Sequence, residues 1–513
     1  MKMKCLLPAV VLGMTGSLFA AEPAARATVS VDLASEKGPI RLMNAVNNGP
    51  TVSKPGGDQV LGNFEDYRAL KIPFARTHDS IGCCPGGAHT CDIQAVFPDF
   101  EKDENDPKNY DFVFTDHYLD TIRRAGTEVF FRLGQTIEHG PKKYGVIPPD
   151  DYAKWARVCE HVVRHYNEGW GWGLDKHPTT RNIAWSNQFN IVYWEIWNEP
   201  DLDSWGAQDA EGRALNPRCW YGTETNFFNF YETAAKHLKA KFPKLKIGGP
   251  GLCGNDNWDA RFIRYCRDTK TPLDFHSWHC YATETRRLPD KCFQIRKLLD
   301  DNGFGKTESI LNEWNTVKGW TDDYRYAMET ICGRLNQKGA AFIASVMIEC
   351  QKAPLDMLMY YDARHTTVFN GMFDRVSLLP LKGYYPFLAW SHLRDLYPTE
   401  VACALEEGHG TASDAATAVV HDKAGQAKSG QFFALAAKGA DGRGAVMIAR
   451  YSSDDNCSDT AKVTVLVPGA DLARARCHLT DSVRTYTEAP LEDVKPGSAV
   501  LRMQPNSFAF IEF

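Results

Sequence analysis

Apolar positions along the first four hundred residues fall into two periods. Compact runs of β-branched and aromatic residues appear at "IRLMNAV" (40–46), "IPFART" (72–77), "TEVFFRLG" (127–134), "NIVYWEIW" (190–197), "LKIGGP" (245–250), "LDFHSWHCY" (273–281), "ESILNEWN" (308–315) and "AAFIASVMI" (340–348). Such runs favour buried, pleated segments. Amphipathic stretches lie between them. In "DDYAKWARVCEHVVRHY" the residues Trp155, Val158, Val162 and Tyr166 recur at helical spacing, behind Pro148, Pro149 and Asp150 as start signals. "TNFFNFYETAAKHLKAKF" and "DDYRYAMETICGRLNQKG" repeat the pattern. Eight strand-then-helix units in order predict a (β/α)8 barrel, an α/β fold, over residues 22–399. After "YYPFLAWSHLRDLYP" the period changes to two, in "AVMIARYSS", "AKVTVLVPG" and "FAFIEF", broken by Gly, Asp and Pro. Residues 400–513 are therefore expected to form an all-β domain of the sandwich type, with residues about 27–35 as a further strand of it.

One strand ends strangely. "IVYWEIWNEPDL", Ile191 to Leu202, runs from an apolar strand straight into Asn198, Glu199 and Pro200. Proline stops the ladder, and an amide–carboxylate pair at that point costs free energy unless chemistry there uses it. Barrels of this kind carry their chemistry at the C-terminal ends of the strands. A search of the other strand ends finds a second acid, Glu313 in "SILNEWNT". The two are 313 − 199 = 114 residues apart, so only a closed barrel brings them together. Two carboxylates flanking one cleft are the minimal apparatus for cleaving a glycosidic bond, one protonated to donate and one ionised to attack. Glu195 and Glu349 compete as acids, but both fall inside strand runs, where pairing with a buried arginine such as Arg76 or Arg132 is the ordinary role.

Composition narrows the function class. The 513 residues carry a formal charge of −6 with interspersed signs, so no basic footprint for nucleic acid exists. No run of about 18 apolar residues predicts a membrane span. Lys2 and Lys4, the apolar stretch Leu6 to Phe19 and the small pair Ala20 and Ala21 have the form of an export signal over residues 1–21, implying a secreted or periplasmic protein. Export permits disulfides. "CCPGGAHTC" groups Cys83, Cys84 and Cys91, where a bridge from Cys91 to Cys83 or Cys84 stands beside a metal site with His89; the latter lacks the paired spacing of structural zinc sites. Most of the other cysteines sit singly in apolar elements as small hydrophobes. No Gly-rich nucleotide fingerprint, serine nucleophile elbow or His-Glu-x-x-His motif is present, and neither cofactor nor metal is expected.

Several segments together resemble glycoside hydrolase family 39, the β-xylosidase and α-L-iduronidase family. They are "FARTHDS", "YDFVFTDHYLDTIRRAGTEVFFRLG", "PPDDYAKWARVCEHVVRHY", "WEIWNEPDL" and "SWHCY", and the likeness runs from about residue 40 to 400. The resemblance implies a retaining glycosidase acting on plant, algal or host glycans in β-xylosidase-like fashion, with Glu199 as acid/base and Glu313 as nucleophile. It further implies that Asn198 contacts the sugar 2-hydroxyl, Tyr281 hydrogen-bonds the nucleophile, and His78 and His279 line the sugar subsite. Trp314 and Trp390 are read as packing. The loops "THDSIGCCPGGAHTCDIQAVFPDF" and "DLDSWGAQDAEGRALNPRCWYG" are candidate rims that set the substrate. Arabinosides, galactosides and uronides remain alternatives; a uronate needs a cationic clamp, for which Arg286, Arg287 and Lys318 are the candidates. From another class, a carbohydrate-binding protein that has lost turnover would be expected to lack one carboxylate, and both are present. Exo versus endo action and oligomeric state have no sequence signal.

Overall fold

In the computed structural model the chain is described over residues 25–51, 62–79, 89–172, 189–319, 323–409 and 430–513. The expected export signal and the cysteines Cys83 and Cys84 lie outside the described residues. Cys91 is buried. Cys159, Cys266 and Cys350 are buried free thiols within the apolar core.

Eight parallel strands close into a barrel in chain order: Leu42–Asn47, Phe74–Arg76, Glu128–Leu133, Tyr193–Ile196, Lys246–Leu252, Phe275–Tyr281, Glu308–Asn315 and Met357–Tyr360. Local chemistry sets the helix ends between them. The helix Tyr152–Glu168 starts where the Asp151 side chain accepts from the Lys154 N–H, and ends at Gly169 in the left-handed conformation (φ 79°). A capping box between Thr223 and Asn226 starts the helix Glu224–Lys241. Among the described residues no helix is long and apolar enough to cross a membrane.

The eighth strand is not where the apolar run suggests. Ala340–Ile348 lies within the helix Gln337–Lys352, and Met357–Tyr360 closes the barrel instead. Glu349 accordingly sits on a helix, beside Lys352 at 3.3 Å, and not in a strand. A continuous apolar run fits a buried helix as well as a buried strand. This helix is apolar all round because it is sandwiched: its Phe342 ring centroid lies 6.2 Å from that of the barrel's Trp314 on one side and 5.4 Å from that of Tyr451 of the second sheet on the other.

A second, largely antiparallel sheet of ten strands stands beside the barrel, and the strand Ala25–Pro39 lies within it, paired antiparallel to Thr399–His409 and parallel to Ala461–Leu466. Alternation along its strands divides two cores. Phe433, Leu435, Met447, Ala449, Phe508 and Phe510 join the barrel's core, while their neighbours Phe432, Ala434, Val446, Ile448, Ala509 and Ile511 join the sheet's own. Leu479 and Val465 belong to strands six places apart in the sheet order, yet they share that second cluster, so the sheet curls over itself as a half-barrel or sandwich.

Inside the barrel, Ala45, Phe130, Tyr193, Phe275, Ile310, Met357 and Met359 form an apolar floor. The buried polar side chains Arg76, Glu195, Ser277 and Asn312 are stacked above it, toward the C-terminal ends of the strands.

Candidate active site

The sixth strand shows how the site is built. Its inward residues are Phe275, Ser277, His279 and Tyr281, one per two positions. Phe275 belongs to the floor. Ser277 Oγ donates to Glu195 at 2.6 Å, His279 Nδ1 lies 2.7 Å from Glu199, and Tyr281 Oη donates to Glu313 at 2.8 Å. Four successive inward side chains thus climb from apolar floor to the two candidate acids.

The strands carrying those acids break the alternation. On the seventh, Trp278 pairs with Leu311 and His279 with Glu313, leaving Asn312 as an extra residue. Such a bulge re-aims side chains. Asn312 and Glu313 therefore both face inward, Asn312 Nδ2 donating to Glu195 at 2.6 Å and Glu313 accepting from Arg76 at 2.7 Å. At the end of the fourth strand Trp197 (φ 76°) and Glu199 (φ 47°) adopt left-handed backbone that non-glycine residues rarely hold. The turn sends the Trp197 ring out against Trp220 and Phe230, at 5.2 and 5.3 Å, and leaves Asn198 and Glu199 inside.

Arg76, at the end of the second strand, ties the layers together. Its Nε donates to Glu195 at 2.6 Å, its Nη1 to Glu313 at 2.7 Å and to Asn47 at 3.1 Å, and its Nη2 to Asn198 at 2.5 Å. The guanidinium has no solvent exposure. Burial opposes its charge, but Glu195 and Glu313 outweigh burial and raise its proton affinity. Gly251 allows this packing: it has φ 64°, and a Cβ there would lie 3.2 Å from both Arg76 and His279. Of the two arginines named from sequence as partners for Glu195, Arg76 fills the role; Arg132 pairs with Asp92 at 2.7 Å.

One oxygen each of Glu199 and Glu313 and a nitrogen of His279 lie within 4.8 Å of one another. Three such atoms have the geometry to hold a cation, but Arg76 already supplies positive charge to Glu313, which works against a second cation there. Both carboxylates line a cavity of about 1210 Å³, with His279, Tyr281, Asp79 and Arg364 among its walls.

The two acids differ in their surroundings. Burial pushes Glu199 up to about 8, assisted by the negative charge of Asp79 and opposed by Arg76. Burial and Glu199 also raise Glu313, but His279, Arg76 and the Tyr281 hydroxyl oppose them. Burial lowers His279 to about 4, so its ring is neutral at pH 7. A Glu199 that keeps its proton at that pH donates it to His279 Nδ1. His78 is buried, held well below its ordinary value by burial and then by Arg76, and its Nε2 lies 3.4 Å from Glu313. Among the described residues neither of its ring nitrogens has a hydrogen-bond partner, and nor does Asn198 Nδ2.

All six residues named from the sequence therefore converge: Glu199, Glu313, Asn198, His78, His279 and Tyr281. Asp79 was missed. It sits in left-handed backbone (φ 46°), its Oδ2 accepts from Tyr361 Oη at 2.9 Å, and Arg364 donates to its carbonyl. Its only sequence signal is adjacency to His78. Of the clamp candidates, Arg286 and Arg287 line the cavity, whereas Lys318 pairs with Glu329. His89 is exposed and lies 3.6 Å from Asp92. Trp314 and Trp390 are fully buried packing residues.

A sequence model of the glycosyl hydrolases family 39 matches residues 63–370, a span holding every one of these site residues. The chain belongs to glycoside hydrolase family 39. This family 39 chain is 26% identical over 236 residues to a β-xylosidase of Geobacillus stearothermophilus, covering 44% of this chain and 41% of that one. It is 25% identical over 304 residues to a β-xylosidase of Caldicellulosiruptor saccharolyticus, covering 55% and 53%. The matches thus span about half or less of the length of these relatives. Among solved structures, the fold is similar to that of a glucosidase from Croceicoccus marinus (TM-score 0.67, 19% identity, 96% and 99% of the two chains covered). It is also similar to a monomeric β-xylosidase from Caulobacter crescentus (TM-score 0.59, 16% identity, 95% and 99% covered).

Proposed function

We propose that the protein is a retaining glycoside hydrolase with β-xylosidase-like specificity, in which Glu199 is the acid/base and Glu313 the nucleophile. The observation that carries this reading is the approach of the two carboxylates, an oxygen of each lying within 4.8 Å of the other. Retaining enzymes hold their carboxyl groups about 5–5.5 Å apart, whereas inverting ones leave about 6.5–9.5 Å for a water. Glu199 keeps its proton at neutral pH and gives it to the leaving oxygen. Glu313, held by Arg76 and Tyr281, attacks the anomeric carbon. Water then hydrolyses the glycosyl-enzyme, with Glu199 as base. Asn198, whose oxygen is occupied by Arg76 and whose buried Nδ2 has no partner among the described residues, has a donor ready for the sugar 2-hydroxyl. His78 lies beside the nucleophile as a further sugar contact.

The glycone follows the two β-xylosidase relatives. A screen of 4-nitrophenyl xyloside, arabinoside, galactoside, glucoside and uronide tests it, with NMR of the first product. The β-xyloside should turn over fastest and give the β-anomer first. No turnover on any substrate, or an inverted first product, contradicts the reading. The same proposal includes export, resting on Lys2, Lys4 and the apolar stretch Leu6 to Phe19. Amino-terminal sequencing of protein from the medium or periplasm should begin near residue 22, and a product confined to the cytoplasm with Met1 retained contradicts it.

A further inference from the structure

The cavity has two sides. The segment from Tyr361 to Phe369 follows the eighth strand, which pairs with the strand of Glu313, and so lies on the side of Glu313. Loops after the fourth strand and after its two barrel neighbours, the third and fifth, form the side of Glu199. An acid that protonates the leaving oxygen faces the leaving group, so that second side is where the departing part of the substrate sits.

Trp205 belongs to it. The residue lines the cavity, yet is 61% exposed. No described residue stacks on its indole or accepts a hydrogen bond from its Nε1. An exposed indole on the wall of a cavity offers a flat apolar face, with a polar N–H at its edge, to whatever binds there.

The backbone beneath it is firmly held. Asp203 accepts from the Arg218 N–H at 2.6 Å, from Arg218 Nε at 2.8 Å and from the Cys219 N–H at 3.2 Å. Ser204 Oγ donates to the Asp201 carbonyl at 2.6 Å and accepts from Asn255 Nδ2 at 2.9 Å. Asp201 is fully buried and accepts from the Cys253 and Asn255 N–H groups. These bonds fix the turn Leu202–Trp205 to the loops on both sides of it. The indole is thus an open flat face on a rigid mount.

The cavity also exceeds what one sugar ring needs. Its volume of about 1210 Å³ is above the ~300–1,000 Å³ of ordinary small-ligand sites. We infer that Trp205 is the platform of a leaving-group subsite, stacking on the apolar face of a second sugar ring, so that the substrate is an oligosaccharide and not a glycoside with a small aglycone. This inference rests on the assignment of Glu199 as acid/base.

The test compares Trp205→Ala and Trp205→Phe with the wild type on a glycosyl fluoride and on the β-linked disaccharide and trisaccharide of the glycone found by the screen. Fluoride offers no ring to stack, whereas the disaccharide does. The ratio of kcat/KM for disaccharide over fluoride should fall tenfold or more in Trp205→Ala and mostly recover in Trp205→Phe. Transfer of the glycosyl group to an added sugar acceptor, relative to water, should fall in parallel. An unchanged ratio with unchanged transfer overturns the platform. A wild type that turns over neither substrate class instead overturns the glycosidase reading.

Discussion

Tyr281→Phe removes a hydrogen bond to Glu313, the proposed nucleophile. The Tyr281 hydroxyl donates to Glu313 Oε2 at 2.8 Å, while Arg76 holds Oε1 at 2.7 Å. Phenylalanine keeps the ring and its edge contacts with Tyr361 and Phe369, at 6.5 and 5.8 Å, so packing changes little. A hydrogen bond to a charged group contributes about 1.5–3 kcal/mol. Each pKa unit corresponds to about 1.4 kcal/mol. Losing the bond disfavours ionised Glu313, so the carboxylate takes up its proton at a pH about one to two units higher. Turnover requires the ionised form. The acidic limb of kcat/KM therefore moves up by that amount, while the basic limb, set by Glu199, stays in place. Initial rates with a 4-nitrophenyl glycoside over about pH 4–9 report the free enzyme's limbs. An acidic limb that stays put, or a uniform loss at every pH, refutes the claim that Tyr281 works by holding Glu313 ionised.

The other predictions follow from the same network. Glu199→Ala should slow breakdown of the glycosyl-enzyme from substrates with good leaving groups, and azide, which needs no general base, should restore turnover; a variant that azide does not rescue counts against the acid/base role. Asp79→Asn removes a negative charge that helps keep Glu199 protonated up to about 8, so the basic limb of kcat/KM should move to lower pH; a limb that stays or rises contradicts this. Arg76→Met leaves Glu195 and Glu313 buried without their cation, a loss of about 3–5 kcal/mol, and calorimetry should show a much lower thermal midpoint. An unchanged midpoint would mean that the buried pair contributes nothing to stability.

Much of this site was legible in the sequence because polar residues at the ends of apolar strands have no structural excuse. Glu199 and Glu313 stand out for that reason, and strict alternation in "FHSWHCY" puts His279 and Tyr281 on the same face. What escaped has physical causes. The run "AAFIASVMI" is buried on every side between barrel and second sheet, so its period carries no direction, and the true eighth strand is only four residues long. The bulge that turns both Asn312 and Glu313 inward, and the left-handed turns at Trp197 and Glu199, are not written in any local propensity. Neither is Asp79, whose carboxylate matters only once Tyr361, 282 positions away, is folded against it. The union of Ala25–Pro39 with the C-terminal strands is likewise a long-range pairing, hinted at by alternation alone.

The most direct measurement is covalent capture of the nucleophile. A 2-deoxy-2-fluoro glycoside with an activated leaving group slows the second step more than the first, so a retaining enzyme accumulates as its glycosyl adduct. Intact-mass analysis should show one sugar per chain, and peptide mapping should place it on Glu313. An active enzyme that forms no adduct, or one labelled on a different residue, contradicts the pairing of Glu313 as nucleophile with Glu199 as acid/base.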